Sequence, residues 1–297
     1  MGYQSVFRND LFKGQVVIVT GAGSGIGRCV AHELTALGAT VAMVGRNPDK
    51  LTAVKAEIEE QGGRVSTHIC DIREEPVVIE TIEAVLALHG RIDGLVNNAG
   101  GQYRKPLSEI TTKGFEAVVK SNLTGGFIFM REVYNRWMKD HGGAIVNMIA
   151  DIWNGWPYYA HSAAARGGMW TLTESASSEW VSSGVRVNAI APGGIASSGL
   201  DTYTPEAQLE IVKFPTRVPM QRFGNNAEVS AAIVFLLSPA ASYITGSCIR
   251  VDGGSPNARI CWGDLIAHDN SKAFDGFHLE APPKILTEGP KQGKGRS

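Results

Sequence analysis

Cysteine is scarce in this chain: Cys29, Cys70, Cys248 and Cys261 are the four among 297 residues. None forms a CxxC pair, so neither a disulfide framework nor a metal site is expected, and the thiols read as those of a reducing cytoplasm. Long apolar runs are missing as well. No stretch approaches the ~18 consecutive apolar residues of a membrane span. Met1 to Lys13 is polar and lacks the apolar centre of a secretory signal. Gly295-Arg296-Ser297 is not a peroxisomal address. Nor is there a basic excess: 28 Lys+Arg face 29 Asp+Glu, a net charge of -1. That balance argues against nucleic acid and membrane surfaces as partners and leaves a small-molecule substrate. The expected location is the cytoplasm.

What is plentiful is glycine, 35 residues against an average of ~7%. There is no G-X-Y period, so collagen is excluded. A hydrophobic content of 43% excludes disorder. The chain alternates short apolar runs with helical patterns. Strands are predicted at 15–20, 40–44, 65–70, 94–97, 144–149, 185–190 and 248–251. Helices are predicted at 28–37, 48–61, 75–89, 162–182 and 227–237, with one long helical region from 112 to 139. Apolar strands alternating with helices mean an α/β fold, a parallel sheet covered on both faces. No composition break interrupts residues 1–255, which read as one domain. Residues 256–297 read as a C-terminal extension, partly mobile. Trp262, Leu265, Ile266 and Phe277 are its expected docking residues, on the same subunit or on a neighbour.

The first strand runs into Thr20-Gly21-Ala22-Gly23-Ser24-Gly25-Ile26-Gly27 and then a helix. A glycine turn in that place lets backbone approach a pyrophosphate, which the free N–H groups and positive dipole end of the helix attract. The end of the second strand is where an NAD-binding site usually carries a carboxylate for the ribose hydroxyls. Gly45 stands there, followed by Arg46, whose guanidinium fork suits a 2′-phosphate. The reading favours NADP(H) over NAD(H).

Thr-Gly-x-x-x-Gly-Ile-Gly at 20–27, Asn97-Asn98-Ala99-Gly100, Asn122 within a helix, and Pro192-Gly193 after the sixth strand occur in an order that resembles the short-chain dehydrogenases/reductases. The likeness covers about residues 12–255. It implies a Rossmann-type doubly wound sheet of about seven strands, a nicotinamide cofactor and a homotetramer. By that resemblance Gly21, Ser24, Gly25, Ile26 and Gly27 hold the pyrophosphate, and Asp71 and Ile72 flank the adenine. Asn98, Ala99 and Gly100 border the ribose side. Pro192, Gly193, Ile195 and Ser197 lie by the nicotinamide amide and the phosphates.

The family's usual catalytic set is a Ser, a Tyr-x-x-x-Lys and a helical Asn. Here no lysine lies between Lys139 and Lys213. Anchoring on Gly167-Gly168-Met169 puts Arg166 at the Lys position and Ser162 at the Tyr position. The Ser position falls on Ile149 or Ala150. In another register Tyr159 becomes the acid and Ala163 stands for the Lys. Arginine stays charged, so Arg166 can hold ribose hydroxyls and supply positive charge but cannot shuttle a proton.

The departure resembles the peroxisomal trans-2-enoyl-CoA reductases in Gly100-Gly101-Gln102-Tyr103, Trp137 to Gly143 and His161 to Arg166, and also the 2,4-dienoyl-CoA reductases. These enzymes send hydride to the β-carbon of a conjugated thioester, so negative charge develops on the thioester oxygen and hydrogen-bond donors are needed there. The resulting assignment makes Asn122 a helix-fixing and relay residue, and Arg166 a ribose and charge residue. Tyr159 is the leading donor, with Ser162, Tyr158 and Asp151 as further donors or relays. Aromatics around Trp153 and Trp156 suit an apolar acyl chain, with residues 198–221 as the segment over the substrate. The leading expectation is an NADPH-linked enoyl-thioester or enone reductase. Two alternatives stand beside it: a dehydrogenase or carbonyl reductase of a hydrophobic alcohol or aldehyde, and a catalytically silent NADP(H)-binding protein.

Overall fold

The computed structural model describes residues 2–3, 7–258 and 265–290. Cys261, Trp262 and the Lys/Gly-rich end with Lys291, Lys294 and Arg296 lie outside them. Seven strands form one sheet: β1 (Val16–Thr20), β2 (Thr40–Gly45), β3 (Arg64–Ile69), β4 (Gly94–Asn97), β5 (Gly143–Met148), β6 (Val185–Pro192) and β7 (Cys248–Val251). All pairings are parallel, in the order β3-β2-β1-β4-β5-β6-β7. The order reverses between β1 and β4, and a crevice opens there at the carboxyl ends of the strands, where such sheets bind ligands.

Three helices, α1 (Gly25–Ala36), α2 (Pro48–Glu60) and α3 (Glu75–His89), connect the first four strands. α1 starts three residues earlier than the sequence pattern predicts, so Gly25 and Gly27 belong to its first turn. At Gly27 a Cβ would sit 2.3 Å from the Gly21 carbonyl oxygen, so only glycine lets the turn close. The long helical region is α4 (Thr112–Val119), α5 (Gly125–Val133) and α6 (Lys139–His141), joined by two wider turns, at 120–124 and 134–138. α7 (Ala160–Trp180) follows β5. A short α8 (Pro205–Ile211), which sequence periodicity did not reveal, lies in the segment after β6, and α9 (Asn226–Leu237) precedes β7. Near the C-terminus α10 (Lys284–Thr287) adds a single turn.

Helices cover both faces. Val30 and Leu34 of α1, Val54 of α2 and Ile233 of α9 pack with Val19 and Val41 on one side. Val78 and Ile82 of α3, Phe129 of α5 and Ala176 of α7 pack with Ile18 and Leu95 on the other. The strands are not uniformly apolar. β3, at the sheet edge, reads RVSTHI and leaves Ile69 54% exposed, because only one neighbour covers it.

Residues 265–290 lie against the same chain. Phe277 is buried with Tyr3, Cys29 and Ala227 between α1 and α9. Arg222 Nε donates to the Ser271 carbonyl at 3.0 Å, and Asn226 Nδ2 donates to Glu280 Oε1 at 2.6 Å. Leu265 and Ile266 are exposed, so of the expected docking residues that are described, Phe277 is the one that docks.

Candidate active site

Two clefts meet along the carboxyl ends of the strands. The first, ≈ 480 Å³, is lined by Gly21, Ser24, Ile26, Gly45, Arg46, Lys50, Asp71, Ile72, Arg73, Asn98, Ala99 and Gly100. The second, ≈ 910 Å³, shares Ile26, Asn98, Gly100 and Ser197 with it and continues past Arg166, Pro192, Gly193 and Ile195 under the segment after β6. Of the expected cofactor residues, Gly25, Gly27 and Asn122 line neither cleft and shape the walls from behind. Among the described residues no three His, Cys, Asp or Glu side chains cluster as a metal site.

The first cleft is fixed by polar ties between the loops after β1 and β4. Thr20 Oγ1 accepts from the N–H groups of Asn98 and Ala99 at 3.0 and 2.9 Å, and Asn98 Nδ2 donates to the Thr20 carbonyl at 2.9 Å. The far end is basic. Arg46 and Lys50 face the cleft, while Asp71 is engaged by Arg73 Nε at 2.9 and 3.1 Å. Those hydrogen bonds hold the Asp71 carboxyl down at about 2, so its charge is already matched. The glycine at 45 is not forced by packing. A Cβ there would meet Leu51 at 3.4 Å, ordinary contact. This end of the cleft could hold a phosphate beside the adenosine ribose.

At the junction, Gly100, Asn122 and Arg166 converge. A Cβ at Gly100 would sit 2.3 Å from Asn122 Oδ1 and 2.7 Å from an Arg166 guanidinium nitrogen. Asn122 sits in the wider turn between α4 and α5. Its Nδ2 donates to the Gly101 carbonyl at 2.6 Å and to the Val118 carbonyl, and its Oδ1 accepts from the Gly101 N–H at 3.1 Å. Asn122 therefore pins the loop that carries Gly100.

Arg166 is buried on α7. One guanidinium nitrogen donates to the Met148 carbonyl at the end of β5, and Nε meets no partner among the described residues. Among the described residues no carboxylate pairs with it. Burial alone draws its pKa down to about 10, which leaves it charged at neutral pH. A buried polar ladder fixes α7 beside the sheet: Asn97 Nδ2 donates to Asn147 Oδ1, and Asn147 Nδ2 to Thr173 Oγ1, both at 2.9 Å.

The remaining candidates separate. Tyr159, preceding α7, lines the larger cleft; burial pushes its phenol above the ordinary tyrosine value, and the neighbouring Tyr203 hydroxyl adds to the rise. Asp151 also lines it. Burial raises its carboxyl, the Ser255 hydroxyl pulls it back, and Asp252 adds to the rise; Oδ1 has no hydrogen-bond partner among the described residues. Ser162 is fully buried and reaches the cleft only through Gln102, whose Oε1 accepts its hydroxyl at 2.9 Å. Tyr158 turns away: it is 44% exposed, at φ 68°, with the Arg104 guanidinium 3.8 Å over its ring. Trp153 and Trp156 line the cleft, whereas Trp170 and Trp180 pack against the two sides of α7's core contacts.

Among the cleft residues that escaped the sequence reading are Gln102 and Tyr203. Gln102 Nε2 donates to the Tyr203 hydroxyl at 3.1 Å, and the Tyr203 ring meets Tyr159 edge to face with centroids 6.2 Å apart. Gln102 lay within a quoted motif, two residues past Gly100, but nothing in its spacing marked a partner a hundred positions away.

The comparisons agree with this geometry. Residues 21–255 match the family model described as "Enoyl-(Acyl carrier protein) reductase". A probable 2,4-dienoyl-CoA reductase [(2E)-enoyl-CoA-producing] of Bacillus subtilis is 36% identical over 243 residues, 81% of this chain and 96% of that one. A peroxisomal 2,4-dienoyl-CoA reductase of Danio rerio is 34% identical over 257 residues, 85% of each. The solved structure of a citronellol catabolism dehydrogenase (AtuB) of Pseudomonas aeruginosa PAO1 is 52% identical with a TM-score of 0.78, over 86% of this chain and 100% of that one. Fold, motif order and these likenesses converge: the chain belongs to the short-chain dehydrogenase/reductase family and is an oxidoreductase of the NAD(P)-binding kind.

Proposed function

We propose that the protein uses NADPH to reduce the conjugated double bond of an enoyl-CoA-like thioester. The observation that carries this reading is Arg166, a buried cation without a carboxylate partner among the described residues, placed where both clefts join and where the family's Tyr-x-x-x-Lys is lacking. The bound cofactor supplies hydride. The chain's part is to receive the negative charge that then develops on the thioester oxygen, and a preorganised guanidinium in a water-poor site does this well. Asn122 holds the Gly100 loop, and Trp153 and Trp156 offer apolar surface to an acyl chain. Arg46 and Lys50 line the far end of the first cleft, where the nearby Asp71 carboxylate is held by Arg73, and this supports NADP(H) over NAD(H).

NADPH oxidation measured with crotonyl-CoA, a longer enoyl-CoA, a dienoyl-CoA and a simple ketone tests the reading. Enoyl turnover at least tenfold above ketone turnover is expected; the reverse order overturns it. The second reading, a dehydrogenase of a hydrophobic alcohol, is favoured by the 52% identity to the citronellol catabolism dehydrogenase. Citronellol with NADP⁺ in the same assay decides between the two. The proposal extends to a cytoplasmic homotetramer whose residues 1–255 form the cofactor-binding unit, with the rest as an extension; light scattering at four times 31.8 kDa is the expected mass.

A further inference from the structure

The segment after β6 does more than roof the larger cleft. It carries a phenol, Tyr203, into a line of hydrogen bonds that begins one helical turn before Arg166. Ser162 donates to Gln102 Oε1 at 2.9 Å, and Gln102 Nε2 donates to the Tyr203 oxygen at 3.1 Å. That oxygen accepts from the amide and also hydrogen-bonds with the Tyr159 hydroxyl; with Tyr159 as the donor of that pair, the Tyr203 O–H is left to donate into the cleft. The same amide N–H would stay on the oxygen once the proton had gone.

The backbone of Tyr203 is pinned from two sides. Buried Gln208 donates its Nε2 to the Tyr203 carbonyl at 3.1 Å and to the Asp201 carbonyl at 3.3 Å. Asp201, two residues before, receives the N–H groups of Lys284 and Ile285 on its carboxylate at 3.1 and 3.0 Å, which ties the segment to α10. A surface phenol has no need of this much fixing.

We propose that the Tyr203 hydroxyl is the proton donor of the reaction, standing in for the Tyr that the family carries on the helix, with Gln102, Ser162 and Asp201 as its positioning residues. The inference rests on the enoyl-reductase reading only for the identity of the acceptor atom. In that reaction a bound nicotinamide cofactor would supply the hydride, electron pair included, for the new C–H bond at Cβ. The enolate of the thioester then takes the Tyr203 proton at Cα, and water returns a proton to the tyrosinate. The products are NADP⁺ and the reduced thioester. With a ketone as substrate, the same proton goes to the carbonyl oxygen. Tyr159 lines the same cleft, but no Gln102 amide holds its oxygen, and burial holds its proton tightly.

The test compares Tyr203→Phe, Tyr159→Phe, Asp151→Asn and Gln102→Leu in the full chain, using the substrate that wild type turns over fastest among crotonyl-CoA, decenoyl-CoA, a ketone and citronellol. Tyr203→Phe is expected to lower kcat about 100-fold or more, with NADPH Kd, read by tryptophan quenching, within twofold. Gln102→Leu should lower kcat about tenfold with KM and NADPH Kd within about twofold, a split that a merely structural role would not give. Tyr203→Phe that binds NADPH and retains more than a third of kcat overturns the assignment. So does a Tyr159→Phe or Asp151→Asn variant that loses 100-fold while Tyr203→Phe loses less than tenfold. If Tyr203→Phe fails to bind NADPH, the Gln102→Leu variant decides, and an unchanged kcat overturns the proposal. Wild type preferring ketone or alcohol overturns the enoyl reading alone, because the Phe variant is then read on that substrate. No turnover on the whole panel overturns both.

Discussion

A buried guanidinium with no carboxylate beside it is costly to keep, several kcal/mol for the ion alone. Arg166 bears that cost, with one carbonyl partner and a bare Nε, and the matching charge has to come from what binds in the cleft. Arg166→Ala is expected to lower kcat/KM by roughly 10²- to 10³-fold, the loss typical of an oxyanion donor. Arg166→Lys, which keeps the charge but not the planar fork, should recover part of it. Equal activity in wild type and Arg166→Ala would remove the residue from the mechanism. A second residue-scale expectation concerns Gly45, where a side chain fits without a clash. Gly45→Asp would set a carboxylate against a 2′-phosphate and should raise the NADPH Kd roughly tenfold or more, ~1.4 kcal/mol, with little change for NADH. Isothermal titration with both cofactors measures it; equal weakening of both would mean that the adenosine phosphate is not read there. That the glycine turn, Arg46 and Arg166 would lie along the clefts was legible in the sequence because they sit at fixed offsets from strand ends. Gln102 and Tyr203 were not, since their meeting depends on how an aperiodic segment folds back over the sheet.

At the scale of elements, the strands and the capped helices were readable from local chemistry. Pro48 opens α2 after Asn47, whose side chain accepts from the Lys50 N–H, and Gly90 closes α3 in the left-handed region. Those signals act within one turn. α8 has them too, with Thr204 as its cap and Pro205 in its first turn. Its seven residues are too few for a periodic apolar stripe, so the loop reading won. The C-terminal stretch was the least legible element, because nothing in its composition says which surface it meets. The structure lays it over α1 and α9 and ties α10 to the segment that roofs the cleft. Phe277 is the apolar anchor of that stretch, 3% exposed, with the Arg28 guanidinium 5.3 Å from its ring centre. Phe277→Ala should cost about 3 kcal/mol, seen as a lower urea midpoint. The test at this scale is whether kcat falls along with stability, because loosening the stretch also loosens Asp201. Unchanged stability would mean that the contact carries no weight in solution.

For the molecule as a whole, the same seam sets a dependence on pH. His32 of α1 lies under the C-terminal stretch, with a side chain 1% exposed. Arg28 and Glu57 flank it, and the Phe277 and His278 rings stand 5.1 and 5.9 Å from its own. Burial draws its pKa from 6.5 to about 4, against the pull of the Glu57 hydrogen bond at 3.1 Å, so desolvation outweighs the carboxylate. The folded chain therefore keeps His32 neutral where the unfolded chain protonates it. The unfolded state binds the extra proton between about pH 6.5 and 4, so this contribution is complete above pH 6.5 and drains away as the pH falls through that window. A shift of this size is worth at most about 3 kcal/mol. Glu57 reinforces the trend at lower pH: burial opposes its charge, but the Arg28 and His32 hydrogen bonds outweigh burial and hold its carboxyl below the ordinary value. Urea midpoints taken from pH 7 to pH 4.5 should fall steadily in wild type. They should fall less steeply in His32→Gln, which has no proton to gain. Parallel slopes in the two proteins would show that the acid sensitivity arises elsewhere and that the seam beneath the C-terminal stretch is open to water.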